Sequence, residues 1–367
     1  MKLIRTKHFF QAVIISGLAF IISCMSPSEP SGVKTRQMTT LPTGGYCKDV
    51  IFTEEYIIAA ADENGYKVFS YEITGNHFEY EDLYGSNDIN SDGEIDKIRD
   101  VVLSNKLNQH DTPLFFSMDY NDAIYYHNVN YVLPWDYQVP ADGASNREKV
   151  RAFTIDDSQP DHIIMYVLME EALTNSSFIS IRNLDVQNNF DSTIVFWGAG
   201  ISRYDGLSSN TDDIYYADSL VYVANSQLGV QVFKQETNES LSLFSEFDGI
   251  QGEVSEIFAN DGIIYAGLND DKGCYMALLD SDGEIITTLE IAEGYTVQGI
   301  DKINNVLALA CGSDGILLYD ILQSTDNLYA NEIGRVETEY AYQVKLMSEN
   351  SFLAATRAGV QYYSLDY

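Results

Sequence analysis

The chain has 367 residues, 45% of them hydrophobic, with 21 Lys and Arg against 55 Asp and Glu, a formal net charge of −34. That apolar share can bury a large core and excludes a disordered chain. So negative a field repels nucleic acid and anionic lipid, which excludes a nucleic-acid role, and favours cations or basic partners; the same charge also serves solubility alone.

Lys2, Arg5 and Lys7 precede an apolar run from Phe9 to Ile22, interrupted by Gln11, Ser16 and Gly17. The run is too short to span a bilayer and has the length of an export-signal core. It ends in Ile21-Ile22-Ser23-Cys24. This resembles the bacterial lipoprotein box, which implies a signal peptide over 1–23 and a lipid on Cys24. An ordinary signal with an incidental Cys is the alternative. Acyl chains on Cys24 would anchor the protein to the membrane, each buried CH₂ contributing about 0.8 kcal/mol. Met25 after the Cys resembles lipoproteins sorted to the outer membrane. Residues 24–45, rich in Ser, Pro, Thr and Gly, read as a flexible tether. The expected location is the bacterial cell envelope.

From residue 46 to 367 strands are expected almost throughout. With 26 Tyr, 17 Phe and only 7 Pro, the chain favours them. Short apolar or alternating runs are separated by Asn, Asp, Gly and Ser turns, with no sustained 3.6-residue period. Val50-Ile51-Phe52, Tyr56–Ala61, Gly65–Glu72 and Phe78–Leu83 form a first unit. An insertion over about 86–97 follows. Asp100–Leu103, Leu114–Asp119 and Ala123–Val129 belong to a second unit, without a clear fourth strand. Arg151–Ile155, His162–Glu170, Phe178–Leu184 and Ser192–Trp197 form a third.

The last four units are regular. Leu220–Ala224 precedes Gly229–Phe233, Ile263–Gly267 precedes Gly273–Ala277, Val306–Ala310 precedes Gly315–Tyr319, and Phe352–Thr356 precedes Gly359–Tyr363. The four Gly residues recur at intervals of 44, 42 and 44 residues. A fixed period of this length marks a stacked or circular array of one supersecondary unit. The final unit lacks a fourth strand, and a segment within Val33–Pro42 is expected to supply it by closing a ring. The expected fold is all-β: a β-propeller of seven four-stranded blades, with six or eight as alternatives. The paired runs at Leu220–Ala224 with Gly229–Phe233, and at Val306–Ala310 with Gly315–Tyr319, resemble the LVIVD-repeat family of bacterial propellers. That resemblance implies an exported protein and no shared enzymatic activity.

Three constellations stand out. In Asp88-Ile89-Asn90-Ser91-Asp92-Gly93-Glu94-Ile95-Asp96, the side chains of Asp88, Asn90, Asp92 and Asp96 and the Glu94 carbonyl alternate around a Gly turn, the oxygen supply a calcium ion needs. An EF-hand would need Glu where Arg99 stands, so the segment resembles the shorter loops of integrin-type propellers. Structural calcium is expected there; a solvated acidic turn is the other reading. Second, Asp49, Asp100, Asp213 and Glu256 each begin the first strand of a unit. First strands line a propeller's channel, so these carboxylates form either an acidic funnel for a cation or basic ligand, or separate strand-end groups that bind backbone N–H. Third, Trp135 and Tyr137 lie in an irregular segment, as a flat face for a sugar or protein, or as cover for a blade edge.

Besides Cys24, the cysteines are Cys47, Cys274 and Cys311. Cys274 and Cys311 fall in neighbouring units and either pair or, with Cys47, serve as small buried hydrophobes. No nucleophile elbow, zinc-protease or phosphate-loop motif is present, and no catalytic residue is assigned. The expected function is therefore non-catalytic: binding or scaffolding of an envelope or extracellular protein. Glycan binding is the second expectation, and a propeller glycoside hydrolase or lyase the third.

Overall fold

A computed structural model describes residues 32–366 apart from 76, 86–96, 108–112, 121–122, 129–136, 140–147, 160–161, 172–173, 175, 190–191 and 237–239; at 107, 128, 137–139, 148, 186–189 and 192–201 only the backbone is described. The described residues form seven antiparallel four-stranded sheets. Blade 1 holds Asp49–Phe52, Tyr56–Ala60, Tyr66–Thr74 and His77–Gly85. Blade 2 holds Ile98–Leu107, Pro113–Asp119, Ile124–Asn128 and Tyr137–Val139, and blade 3 Glu148–Asp156, His162–Glu171, Ser176–Asn189 and Ser192–Leu207. Blade 4 holds Asp213–Ala217, Leu220–Ala224, Val230–Gln235 and Leu241–Phe247, and blade 5 Val254–Asn260, Ile263–Leu268, Gly273–Leu279 and Ile285–Ile291. Blade 6 holds Gly299–Ile303, Val306–Ala310, Ile316–Gln323 and Leu328–Val336. Blade 7 holds Ala341–Ser348, Ser351–Thr356 and Gly359–Asp366, and takes Lys34–Leu41 as its outermost strand.

The chain is thus a seven-bladed β-propeller closed by its N-terminal strand. Lys34 pairs with Asp366 and Leu41 with Val360, and the Cys47 N–H donates to the Thr356 carbonyl at 2.9 Å. The core lies between blades. One apolar cluster joins Tyr265 and Met276 of blade 5 to Leu307, Leu309 and Leu317 of blade 6; another joins Leu41 and Leu353 of blade 7 to Val50 and Ile57 of blade 1. Cys47, Cys274 and Cys311 are free thiols buried in these layers, so Cys274 and Cys311 do not pair. Among the described residues no helix is long and apolar enough to cross a membrane.

The recurring Gly has a steric cause. Gly229 and Gly315 open the third strands of blades 4 and 6 with φ of +80° and +81°. A Cβ there would overlap the carbonyl oxygen of the outermost strand, that of Phe247 or Val336. In blade 2 the residue before the third strand is Ala123, whose N–H donates to the Asp119 carboxylate at 2.8 Å, so the Gly mark is missing there in sequence. The fourth strand of blade 2, not visible in sequence, is Tyr137–Val139, paired with Ile124–Tyr126. Tyr137 therefore starts a strand and does not belong to an irregular segment.

Gly315→Ala should lower unfolding free energy by about 2 kcal/mol or more. Gly294→Ala, at φ +94° with no atom near its Cβ position, isolates the backbone strain alone and should cost about 1–2 kcal/mol. Denaturant melts of the two variants check this, and equal losses would remove the overlap argument.

Candidate functional site: the central channel and its mouth

The innermost strand of every blade is an edge. Its outward side faces the channel, where no further strand can pair with its N–H groups, and buried N–H groups need acceptors. Side chains supply them from the neighbouring blade. Asp49 of blade 1 accepts its own Val50 N–H at 2.8 Å and the Val101 N–H of blade 2 at 3.2 Å. Asp213 of blade 4 accepts the Ile214 N–H at 2.8 Å and the Ile257 N–H of blade 5 at 2.9 Å. Asp301 of blade 6 accepts the Leu346 N–H of blade 7 at 2.6 Å. Thr154 of blade 3 does the same for Tyr216 of blade 4 at 3.2 Å. Gln343 of blade 7 accepts its own Val344 N–H at 3.0 Å and donates to Glu256 of blade 5 across the ring at 3.2 Å. Gly299 makes room for that reach, because a Cβ there would meet the Gln343 amide.

Asp49, Asp100, Asp213 and Glu256 therefore do converge, and Asp301, Gln343 and Lys345 join them around a cavity of about 450 Å³ on the channel axis. The four carboxylates line one cavity, and two of them, Asp49 and Asp213, bind backbone N–H. The three additional residues were legible in principle. Strand side chains repeat with period two, so the channel-facing set continues from Gly299 to Asp301 and from Gln343 to Lys345.

Enclosure decides the charge. Accessible to the channel yet surrounded by protein, Asp100 is raised well above the usual carboxylate range, first by burial and then by the Asp49 charge and the hydrogen bond they share. Glu256 is raised by burial and by Asp213. Burial pushes Asp213 up to about 7 against the pull of its two amide donors. Asp301 is raised by burial as well. Burial alone would lower Lys345, but the carboxylates of Asp49 and Asp301 outweigh it and hold the ammonium protonated. Carboxylates raised by burial and by one another thus crowd around one lysine. Among the described residues no group of three or more His, Cys, Asp or Glu is arranged to hold a metal ion.

The channel opens where the innermost strands begin, at a neck of about 230 Å³ lined by Lys48, Arg99, Arg151, Asp212, Tyr342 and Gln343. Tyrosines crowd this mouth. The Tyr340 and Tyr342 ring centroids are 4.6 Å apart, and Tyr46 lies 6.4 Å from Tyr342. Lys48 sits 3.9 Å over Tyr342, and Arg357 sits 4.5 Å over Tyr340. Tyr46 and Tyr120 are 49% and 45% exposed, so this face offers open aromatic surface. The sequence reading missed it because Tyr46, Tyr340 and Arg357 come from three different loops. Cys24, the segment Asp88, Asn90, Asp92, Glu94 and Asp96, and Trp135 lie outside the described residues, and Tyr137 is described by its backbone alone.

No family model and no curated protein matches the chain. Solved structures do. The WD40 β-propeller domain of Doa1 matches with a TM-score of 0.56 at 13% identity, over 90% of this chain and 97% of that one. The computationally designed Ika8 protein matches with a TM-score of 0.53 at 12% identity, over 90% of this chain and 99% of that one. Both likenesses are to fold alone.

Asp213→Ala leaves the Ile214 and Ile257 N–H groups without their acceptor and should cost about 1–3 kcal/mol. Asp213→Asn tests the charge. Between the ordinary carboxylate value near 4 and about 7, folded Asp213 keeps a proton that the unfolded chain releases. Its contribution to stability must then fall as pH rises through that window. The stability advantage of wild type over Asp213→Asn should therefore shrink from pH 4 to pH 7 in paired denaturant melts, and a growing advantage would contradict a raised Asp213.

Proposed function

We propose that this protein is an envelope lipoprotein of the LVIVD-repeat type, held to the outer membrane by a lipid on Cys24, that acts as a non-catalytic binding or scaffolding module for protein partners. The observation that carries the reading is the direction of the closing strand. Leu41 pairs with Val360 at the mouth end of blade 7, whereas Lys34 pairs with Asp366 at the opposite end. The chain before Lys34 therefore starts from the side away from the mouth. From Cys24 to Lys34 is ten residues, which extend at most about 33–36 Å. A short leash attached there holds the disc close to the bilayer and turns its tyrosine-lined mouth outward, toward partners. Tyr and Arg are the residue types that dominate protein-binding hot spots. The double backbone ties of Asp49 and Asp213 commit those two carboxylates to holding blades together.

A structural calcium ion bound by Asp88, Asn90, Asp92, Glu94 and Asp96 belongs to the same reading. It would pin the segment between blades 1 and 2. Glycan binding is the second reading, favoured by the exposed rings of Tyr46 and Tyr120.

Crosslinking on intact cells tests the scaffold reading. A discrete envelope protein should attach to wild type and be lost from a Tyr46→Ala/Tyr120→Ala double variant; no protein crosslink to wild type would remove the reading. Calcium should raise the melting temperature relative to chelator, and Asp88→Ala/Asp92→Ala should abolish the rise, because a ligand bound only by the folded state stabilises it. Identical melting in all samples would leave the segment an acidic turn.

A further inference from the structure

Arg357 stands apart in this acidic chain. It is exposed, at the turn between the second and third strands of blade 7, on the mouth face. Its guanidinium lies 4.5 Å from the Tyr340 ring centroid and 5.7 Å from that of Tyr46, and its Nε donates to the Tyr342 hydroxyl at 3.4 Å. Among the described residues these tyrosines are its partners and no carboxylate forms an ion pair with it, although the chain has 55 Asp and Glu. The rings fix the side chain through its flat face and its Nε. The terminal N–H groups remain directed to solvent, in the fork that matches a carboxylate. Lys48 shares the same rings, 3.9 Å over Tyr342 and 5.6 Å from Tyr46, and reaches the Asp62 carboxylate only at 3.9 Å. Two cations thus converge on one tyrosine cluster, beside the open ring of Tyr46.

We infer that this cluster is a docking site for an acidic segment of a protein partner, with Arg357 taking an Asp or Glu side chain in two parallel hydrogen bonds, Lys48 adding a second charge and Tyr46 covering the adjoining peptide. The inference rests on the protein-recognition reading above and names the chemistry of that partner. Charge complementarity sets the sign of the occupant. Its density sets the class: a polymer with an anion at every unit would carry charge onto Asp62 and Glu63 beside the patch, whereas a peptide presents isolated carboxylates. Fixing Arg357 in advance cuts the entropy cost of binding, and a bidentate contact gives it direction.

The test uses the full-length protein in detergent micelles and two short fluorescein-labelled peptides, identical except for Glu or Lys at the same positions, followed by anisotropy. The Glu peptide should bind saturably at low salt and weaken as salt rises, and the Lys peptide should bind less tightly. Arg357→Ala should weaken the Glu peptide about tenfold or more, Arg357→Lys less, and Lys234→Ala, an exposed cation on blade 4, not at all. Tyr340→Ala leaves the charge but removes its seat and should weaken binding too, with melting temperature monitored in each variant. No saturable binding of the Glu peptide, binding indifferent to Arg357→Ala, or displacement by oligogalacturonate at lower concentration than by unlabelled Glu peptide would each overturn the assignment. A partner still crosslinked on cells by Arg357→Ala would leave protein recognition standing and this site refuted.

Discussion

The structure depends on how seven inner strand edges are satisfied at the centre of the ring. A propeller removes the outer-edge problem by radial repetition, but it concentrates innermost N–H groups around a narrow axis. Here an acceptor on one blade takes an N–H of the next: Asp49 to Val101, Thr154 to Tyr216, Asp213 to Ile257 and Asp301 to Leu346. Each contact is local in space and long in sequence, so it ties separate sheets into one disc. Crowding those carboxylates has an electrostatic cost. That cost shows as the rise of Asp100 and Glu256 above the usual carboxylate range, and Lys345 stands among them.

A second set of ties runs along the mouth. Asp62, Ser226 and Gly312 hold the same place in the turns of blades 1, 4 and 6, each with φ near +50°. Each makes an isolated bridge to the first strand of the next blade, at Ile98, Val254 and Ala341. The left-handed turn aims a backbone N–H and C=O sideways, which a regular hairpin would not do. Core packing between blades then follows from sheets already held face to face.

These two devices explain what the sequence makes legible. The Gly period at 229, 273, 315 and 359 reports a backbone shape that no other residue adopts freely, so it survives as a visible mark. Seven blades and a borrowed closing strand follow from it and from the unfinished last unit. In blade 2 an Asp119 contact replaces Gly, and in blade 3 strands of 14 and 16 residues blur the spacing. There the period alone was a poor guide. The channel carboxylates were visible as a repeat position, but their pairing with amides of the following blade was not, because that partner lies 44 residues on for Asp213 and 52 for Asp49. The mouth cluster was invisible for the same reason, since Tyr46 and Arg357 meet only when the ring closes.

Ring closure therefore links fold to function. The strand that completes blade 7 also brings the loop bearing Tyr46 and Lys48 against Tyr340, Tyr342 and Arg357, so the cation–tyrosine cluster exists only in the closed disc. Stability and the composition of the mouth are in this way set by one pairing, between the first and last strands of the chain. Charge divides along the same axis. The carboxylates in the channel are raised by burial or bound to backbone, and Arg357, seated on its tyrosines, stands at the rim. In a chain so rich in acid, the chemistry open to a partner at this mouth is aromatic and cationic, the reverse of what net charge alone suggests.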